Sequence, residues 1–374
     1  MGKASGKTES RRLPKLISAA ILLAVMSIVL LYVARLEAHT GVDVFLPTNY
    51  HSILESSQHS NGTVALNAIG DESVLLSYYQ AYAEQNGRPY SLRQDLLLSR
   101  MAHVRAPKGY RGDRERITLG ELCDEIQQTI AKQAENTMSK YGCERQELLD
   151  LVGSITDHST LSNLVICEYF SDQSGLAGYI LQSDEAITIA FMGTDDLTDK
   201  LDNTLLLPFN LSIQYPSIRA LLAKYHTAER LWLTGHSKGG HNAIYAASID
   251  DRCRATGFNS PGFGIFLSDA QHDNLDYGVN FVINGDATGF LLFHLERRII
   301  LESLGMPSSG GNILNSRHGL SSFYPIDDLT IATSMVPLSI GLEWITQIVW
   351  ILAIVVLGYG VATRLCLYVL NTLR

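Results

Sequence analysis

The chain has 374 residues, 46% of them hydrophobic and only 18% charged, with a net charge of -9 and a mean hydropathy of +0.07. That composition supports a sizeable buried core, argues against a largely disordered chain and points to segments held in lipid. The acidic balance argues against a general electrostatic grip on nucleic acid, which needs clustered Lys and Arg.

Residues 1–15 form a basic tail in which Lys3, Lys7, Arg11, Arg12 and Lys15 oppose Glu9 alone. Residues 16–34 follow without a charge, long enough to span a bilayer. A cleaved signal peptide is the rival reading, but its apolar region is usually shorter, and Leu36-Glu37-Ala38 makes a poor exit site. At the other end, residues 344–363 form a second apolar stretch, with Trp344 and Trp350 near its start and a tail over 364–374 carrying Arg364 and Arg374. Basic flanks stay in the cytoplasm, so the sequence predicts a two-pass membrane protein whose middle domain is extracytoplasmic, with the bilayer as a partner. Cys123, Cys143, Cys167 and Cys253 lie in that middle and Cys366 beyond it. Their spacing fits no zinc pattern, and neither a disulfide nor a set of reduced core thiols is favoured.

Between Thr40 and about residue 160 the chain reads as short helices and loops. Thr118-Leu119-Gly120-Glu121 forms a capping box opening a helix through about Ser139, and another helix is expected from Glu144 to Val152. This segment, 40–160, either caps a catalytic domain or packs on it. From Asn163 apolar strands alternate with helices, at 163–170, 176–182, 186–193, 230–235, 255–260 and 278–285, with helices near 217–226 and 239–249. The fold class expected for 161–330 is therefore α/β, a mostly parallel sheet flanked by helices, whose ligands bind beyond the carboxyl ends of the strands.

The chemistry is concentrated where strand 230–234 runs into Gly235-His236-Ser237-Lys238-Gly239-Gly240 and then a helix. This is G-x-S-x-G in its strand–turn–helix setting, with Ser237 as candidate nucleophile and the backbone N–H of Lys238 as an oxyanion donor at the helix N-terminus. The earlier strand ending Met192-Gly193-Thr194 offers Thr194 as the second donor. Serine needs a base, and the base needs a carboxylate, in the chain order Ser, acid, His. Asp286, after the strand over 278–284, is the chosen acid, with Asp269, Asp273 and Asp276 as rivals. His318, in the polar loop Asn315-Ser316-Arg317-His318-Gly319, is the chosen base. His294 lies in Phe290-Leu291-Leu292-Phe293-His294-Leu295-Glu296-Arg297-Arg298-Ile299-Ile300, an apolar run expected to be a packed helix; His236 and His241 flank the elbow and read as structural, and His272 precedes the acid.

Assembled, these residues resemble the class 3 lipase branch of the α/β-hydrolases, and within it a bacterial group of lipase-like proteins carrying G-H-S-K-G-G, over roughly residues 160–320. The resemblance implies Ser237, Asp286 and His318 as triad and Thr194 with Lys238 as oxyanion hole. It also places Asn259-Ser260-Pro261-Gly262-Phe263 beside the site. The chain departs from the family's pattern at Met192, where Arg is frequent, in Asp195–Asp199, which lacks the usual Trp, and at Gly240-His241-Asn242. Leu205–Leu211 is an apolar loop that forms either a lid or core packing.

The resulting expectation is a serine hydrolase acting on a carboxylic ester or other lipid-like small molecule through an acyl-enzyme, with no cofactor and no metal. Thioester or amide cleavage would use the same triad. Two other classes stand beside it: a catalytically silent hydrolase fold serving as a binding module, and a membrane scaffold, hinted at by the small pair Gly358 and Gly360.

Overall fold

In the computed structural model the described residues are 83–84, 87–105, 117–132, 145–183, 186–193, 211–263, 274, 277–292, 294, 296–302, 318–323, 330–331, 355–356, 359–360 and 363–364. The chain divides into two compact units, Met1–Pro47 with Glu343–Arg374, and Thr48–Leu342. The apolar stretch expected over 16–34 and most of 344–363 lie outside the described residues. Among those described, no helix is long and apolar enough to cross a membrane.

The second unit is organised by one eight-stranded sheet whose spatial order is the chain order: β1 (Val165–Ser171), β2 (Ala177–Gln182), β3 (Ile187–Phe191), β4 (Leu231–His236), β5 (Cys253–Phe258), β6 (Gly278–Ile283), β7 (Arg297–Glu302) and β8 (Thr330–Ile331). Strands β3 to β7 are mutually parallel. The expectation of strands alternating with helices from Asn163 is corrected at its start, because β1, β2 and β3 form an antiparallel meander. Short turns dictate this: Ser174 N–H donates to Asp172 Oδ1 (2.8 Å) and Ser183 N–H to Ala186 O (2.9 Å), leaving no chain for a crossover helix.

A second correction concerns the apolar run over 290–300. Its described residues form no packed helix; 297–300 belong to β7, parallel to β6, and the described regular element of the connection is a single 3-10 turn, Thr288–Phe290. A parallel crossover made by 284–296 lacks the long amphipathic helix that normally announces one.

Crossovers of one hand between strands laid down in one direction all fall on one face. Helices α5 (Tyr215–Lys224) and α6 (Lys238–Ile249) share such a face, with Tyr215 stacked on Tyr245 at 3.5 Å and Asn242 Nδ2 donating to Gln214 Oε1 (2.7 Å). The opposite face would be left in water. It is covered from the N-terminal side by α1 (Leu92–Met101), α2 (Leu119–Lys132) and α3 (Arg145–Thr156), with one further turn, α4 (Ser159–Ser162). Leu97, Leu98, Met101, Leu122, Ile126, Leu148 and Val152 form one core with Tyr179, Leu181, Ala190 and Trp232 of the sheet. Both faces being covered, β4 and β5 are buried at every position. The described helices of 40–160 are thus a layer of the fold.

Local sequence starts these helices. Thr118 and Glu121 close the expected capping box, Thr118 N–H donating to Glu121 Oε2 (2.7 Å) and Glu121 N–H to Thr118 Oγ1 (3.2 Å). Ser91 and Gln94 form a second box opening α1. Buried polar bonds fix α1 on the sheet: Arg88 pairs with Asp95 (Nε to Oδ2, 2.7 Å) and donates to the carbonyls of Arg254 and Leu233 (3.2 Å each). Ser99 Oγ meets Thr234 Oγ1 at 2.7 Å. Burying an ion pair costs desolvation, which these added hydrogen bonds offset. Among the described cysteines, Cys123, Cys167 and Cys253 are all free thiols.

Candidate active site

β4 ends at His236 and α6 begins at Lys238, so Ser237 alone makes the turn, with φ 55° and ψ -126°. A non-glycine residue there is strained, by on the order of 1–3 kcal/mol, and persists only where the surroundings hold it. The Ser237 N–H donates to Phe258 O at 2.9 Å and its carbonyl accepts from His241 N–H at 3.1 Å, tying the turn to β5 and α6. The turn also brings backbone against backbone. A Cβ at Gly235 would stand 2.5 Å from the Gly239 carbonyl oxygen, and one at Gly239 2.8 Å from the Met192 carbonyl, so both must be glycine.

Loops after later strands meet this turn. His318 Nε2 lies 2.9 Å from Ser237 Oγ and its Nδ1 lies 3.1 Å from Asp286 Oδ1. Asp286 is fully buried after β6, and its carboxylate can only accept. Nδ1 therefore carries the proton and Nε2 offers its lone pair to the serine O–H. Asp286 is itself held by the Gly289 N–H on Oδ2 (2.6 Å) and the Thr288 N–H on Oδ1 (3.4 Å), the start of the 3-10 turn.

Two groups with no catalytic role assigned from sequence also reach the base, one of them Asn259, whose segment was expected beside the site. His236 Nε2 donates to the His318 carbonyl at 2.6 Å, and Asn259 Nδ2 donates to the same oxygen at 3.1 Å. His236 read as structural, on the wrong element. It is in fact a neighbour of His318, with ring centroids 4.8 Å apart, and of His103, at 5.8 Å. Burial, with His318 and then His103 beside it, holds His236 well below the ordinary histidine range, outweighing its bond to the carbonyl. It is therefore a neutral donor. Only its adjacency to the nucleophile marked it in sequence; no local pattern predicts a bond across 82 residues.

The remaining candidates divide. Lys238 opens α6 directly after the nucleophile, and its buried Nζ lies 3.3 Å from Ser212 Oγ. Thr194 lies outside the described residues. Gly193 before it abuts the elbow, where an added Cβ would come 2.8 Å from the His236 carbonyl oxygen. Asp269, Asp273, Asp276, His272 and Leu205–Asn210 also lie outside the described residues. His294 Nδ1 is 2.8 Å from Glu296 Oε1, which accepts from Asn280 Nδ2 as well (3.1 Å). Despite full burial, His294 and these hydrogen bonds hold the Glu296 carboxyl below its usual range. His241 Nε2 is 2.9 Å from Tyr215 OH, consistent with its structural reading. No cluster among the described residues is suited to hold a metal ion.

A strained serine between a central strand and a helix, met by an imidazole and a buried carboxylate at the same sheet edge, defines a hydrolase-type α/β fold. Within that class, residues 164–342 match the family model described as Mbeg1-like, a segment that spans all eight strands and omits α1 to α3. No curated protein matches the chain. Among solved structures, a triacylglycerol lipase from Penicillium expansum is 15% identical across 48% of this chain and 88% of its own, with a TM-score of 0.27.

Proposed function

We propose that this protein is a membrane-anchored serine hydrolase that cleaves a carboxylic ester through an acyl-enzyme. One observation carries the reading: the relay of Ser237 Oγ, His318 Nε2 at 2.9 Å, and His318 Nδ1 at 3.1 Å from buried Asp286. Ser237 Oγ attacks the ester carbonyl carbon as its proton passes to His318 Nε2, giving a tetrahedral oxyanion and an imidazolium. Asp286 holds the imidazole tautomer and stabilises that cation. The C–O bond to the alcohol then breaks as His318 returns the proton to the leaving oxygen. Water, deprotonated by His318, releases the acid and restores Ser237.

The oxyanion is assigned to the backbone N–H groups of Lys238 and Thr194. The start of α6 favours negative charge through its dipole, and Gly193 lies against the elbow beside it. A lipid-like ester is the substrate class favoured, because the apolar stretches at 16–34 and 344–363 with their basic flanks would keep the domain at a bilayer. That arrangement puts the catalytic domain on the extracytoplasmic side; labelling of cysteines engineered beside each stretch in intact cells tests it.

The direct test is reaction of the purified protein with a fluorophosphonate. Labelling is expected in the wild type, with loss in Ser237→Ala and His318→Ala. A folded wild type that resists labelling would sink the hydrolase reading and favour a binding module.

A further inference from the structure

We propose that His236 and Asn259 are positioning residues for the base, a two-donor clamp on the main-chain carbonyl of His318 that couples the base loop to the nucleophile elbow. The kinetic part of this inference rests on the hydrolase reading above; the structural part does not.

His318 belongs to none of the sheet's strands. Its side-chain contacts, to Ser237 and Asp286, are those that change as a proton moves through the ring, so they are poorly suited to fix the backbone that carries it. That backbone is held by its own carbonyl, which accepts His236 Nε2–H at 2.6 Å and Asn259 Nδ2–H at 3.1 Å, using both lone pairs.

The donors come from adjacent strand ends, His236 as the last residue of β4 and Asn259 directly after β5. Asn259 is itself locked. Its φ is 47°, its N–H donates to Phe281 O at 2.8 Å, and its Oδ1 accepts the Ile283 N–H at 2.9 Å, three residues before the acid. The amide orientation follows, because Oδ1 faces an N–H and Nδ2 faces a carbonyl. One asparagine thus ties the base loop to the strand end that leads to Asp286. One histidine, the residue preceding Ser237, ties it to the elbow. Being neutral, His236 supplies a donor without setting a second cation beside the imidazolium that forms on His318.

His236→Gln and His236→Met separate the donor from the bulk, since glutamine Nε2 can reach where imidazole Nε2 stood and methionine fills similar space without an N–H. With a short-chain nitrophenyl ester, His236→Met should lower kcat about 10- to 100-fold with KM within about twofold, as expected when a reacting group is misplaced by a fraction of an ångström to 1 Å. His236→Gln should recover most of that loss. Hydrogen exchange of the amides in 318–323 should quicken roughly tenfold in His236→Met and in Asn259→Asp, which turns an oxygen toward the carbonyl, and stay near wild type in His236→Gln. Equal behaviour of Met and Gln variants in both readouts, or unchanged exchange in Asn259→Asp, overturns the clamp. If the wild type hydrolyses no ester, the hydrolase reading fails and the exchange data alone decide the clamp.

Discussion

The nucleophile and the base of this site are built in opposite ways. Ser237 is fixed mostly by its own neighbours: a strand before it, a helix after it, and glycines at 235 and 239 that let the turn close. His318 is fixed by residues distant in sequence, with Asp286, Asn259, His236 and Ser237 lying between 32 and 82 positions away. A six-residue motif can therefore encode the first. The second exists only once β4, β5 and β6 are side by side. A relay assembled this way needs the nucleophile to be precise locally and the base to be held from several strands at once.

Removing the link between the two halves should have the largest effect. Asp286→Asn leaves Ser237 and its elbow intact but favours the wrong imidazole tautomer, so kcat should fall about 10⁴-fold while the protein still folds. Steady-state hydrolysis with circular dichroism checks this; a loss under tenfold would mean that the acid is another carboxylate. Next in size is a change on the sheet's other face. Asp95→Asn strips Arg88 of a buried counter-charge and should cost about 3–5 kcal/mol in urea unfolding. The molecules that remain folded should keep their activity, since Arg88 and Asp95 bond to α1 and to strand interiors.

A smaller effect separates the halves by pH. His236 is held below its ordinary pKa of 6.5, so between that value and its lower folded one the unfolded chain binds more protons. Its contribution to stability is complete above about pH 6.5 and declines on acidification, by at most about 1.4 kcal/mol per pH unit. His236→Gln should flatten the acid side of a stability profile measured by thermal melting. An unchanged slope would mean that His236 titrates normally. Smallest is Thr118→Ala, which removes one partner of a capping box and should cost about 1 kcal/mol in unfolding with no change in kcat.

Much of the sheet was legible because its strands and helices carry different hydrophobic periods. β2, β3, β4, β6, α5 and α6 fall close to their predicted places, and the Thr118–Glu121 box opens α2 as expected. What escaped has one cause. β7 follows β6 without a long helix between them, so its apolar run carried no strand–helix alternation and read as helix. The antiparallel pairing of β1 to β3 was hidden because strand direction is set by connections, whereas hydrophobic pattern reports only burial.

The helical layer makes the same point. Two of its helices, expected from Thr118 to about Ser139 and from Glu144 to Val152, and one cap could be read, but not α1 and not the layer's place. Strands added in one direction leave one face of the sheet uncovered, and α1 to α3, outside the segment that matches the family, cover it.

By itself, then, the sequence determined the elbow, the Thr118–Glu121 cap and most strand positions, because those depend on residues within a turn or two of one another. The sequential strand order, the use of α1, α2 and α3 as a second layer, and the seating of His318 by His236 and Asn259 were decided by tertiary structure alone. Each requires groups far apart in the chain to meet, backbone with backbone in the sheet, apolar side chains with the sheet under the helices, and side-chain donors with a carbonyl at His318, and nothing local in the chain specifies which partner will be there.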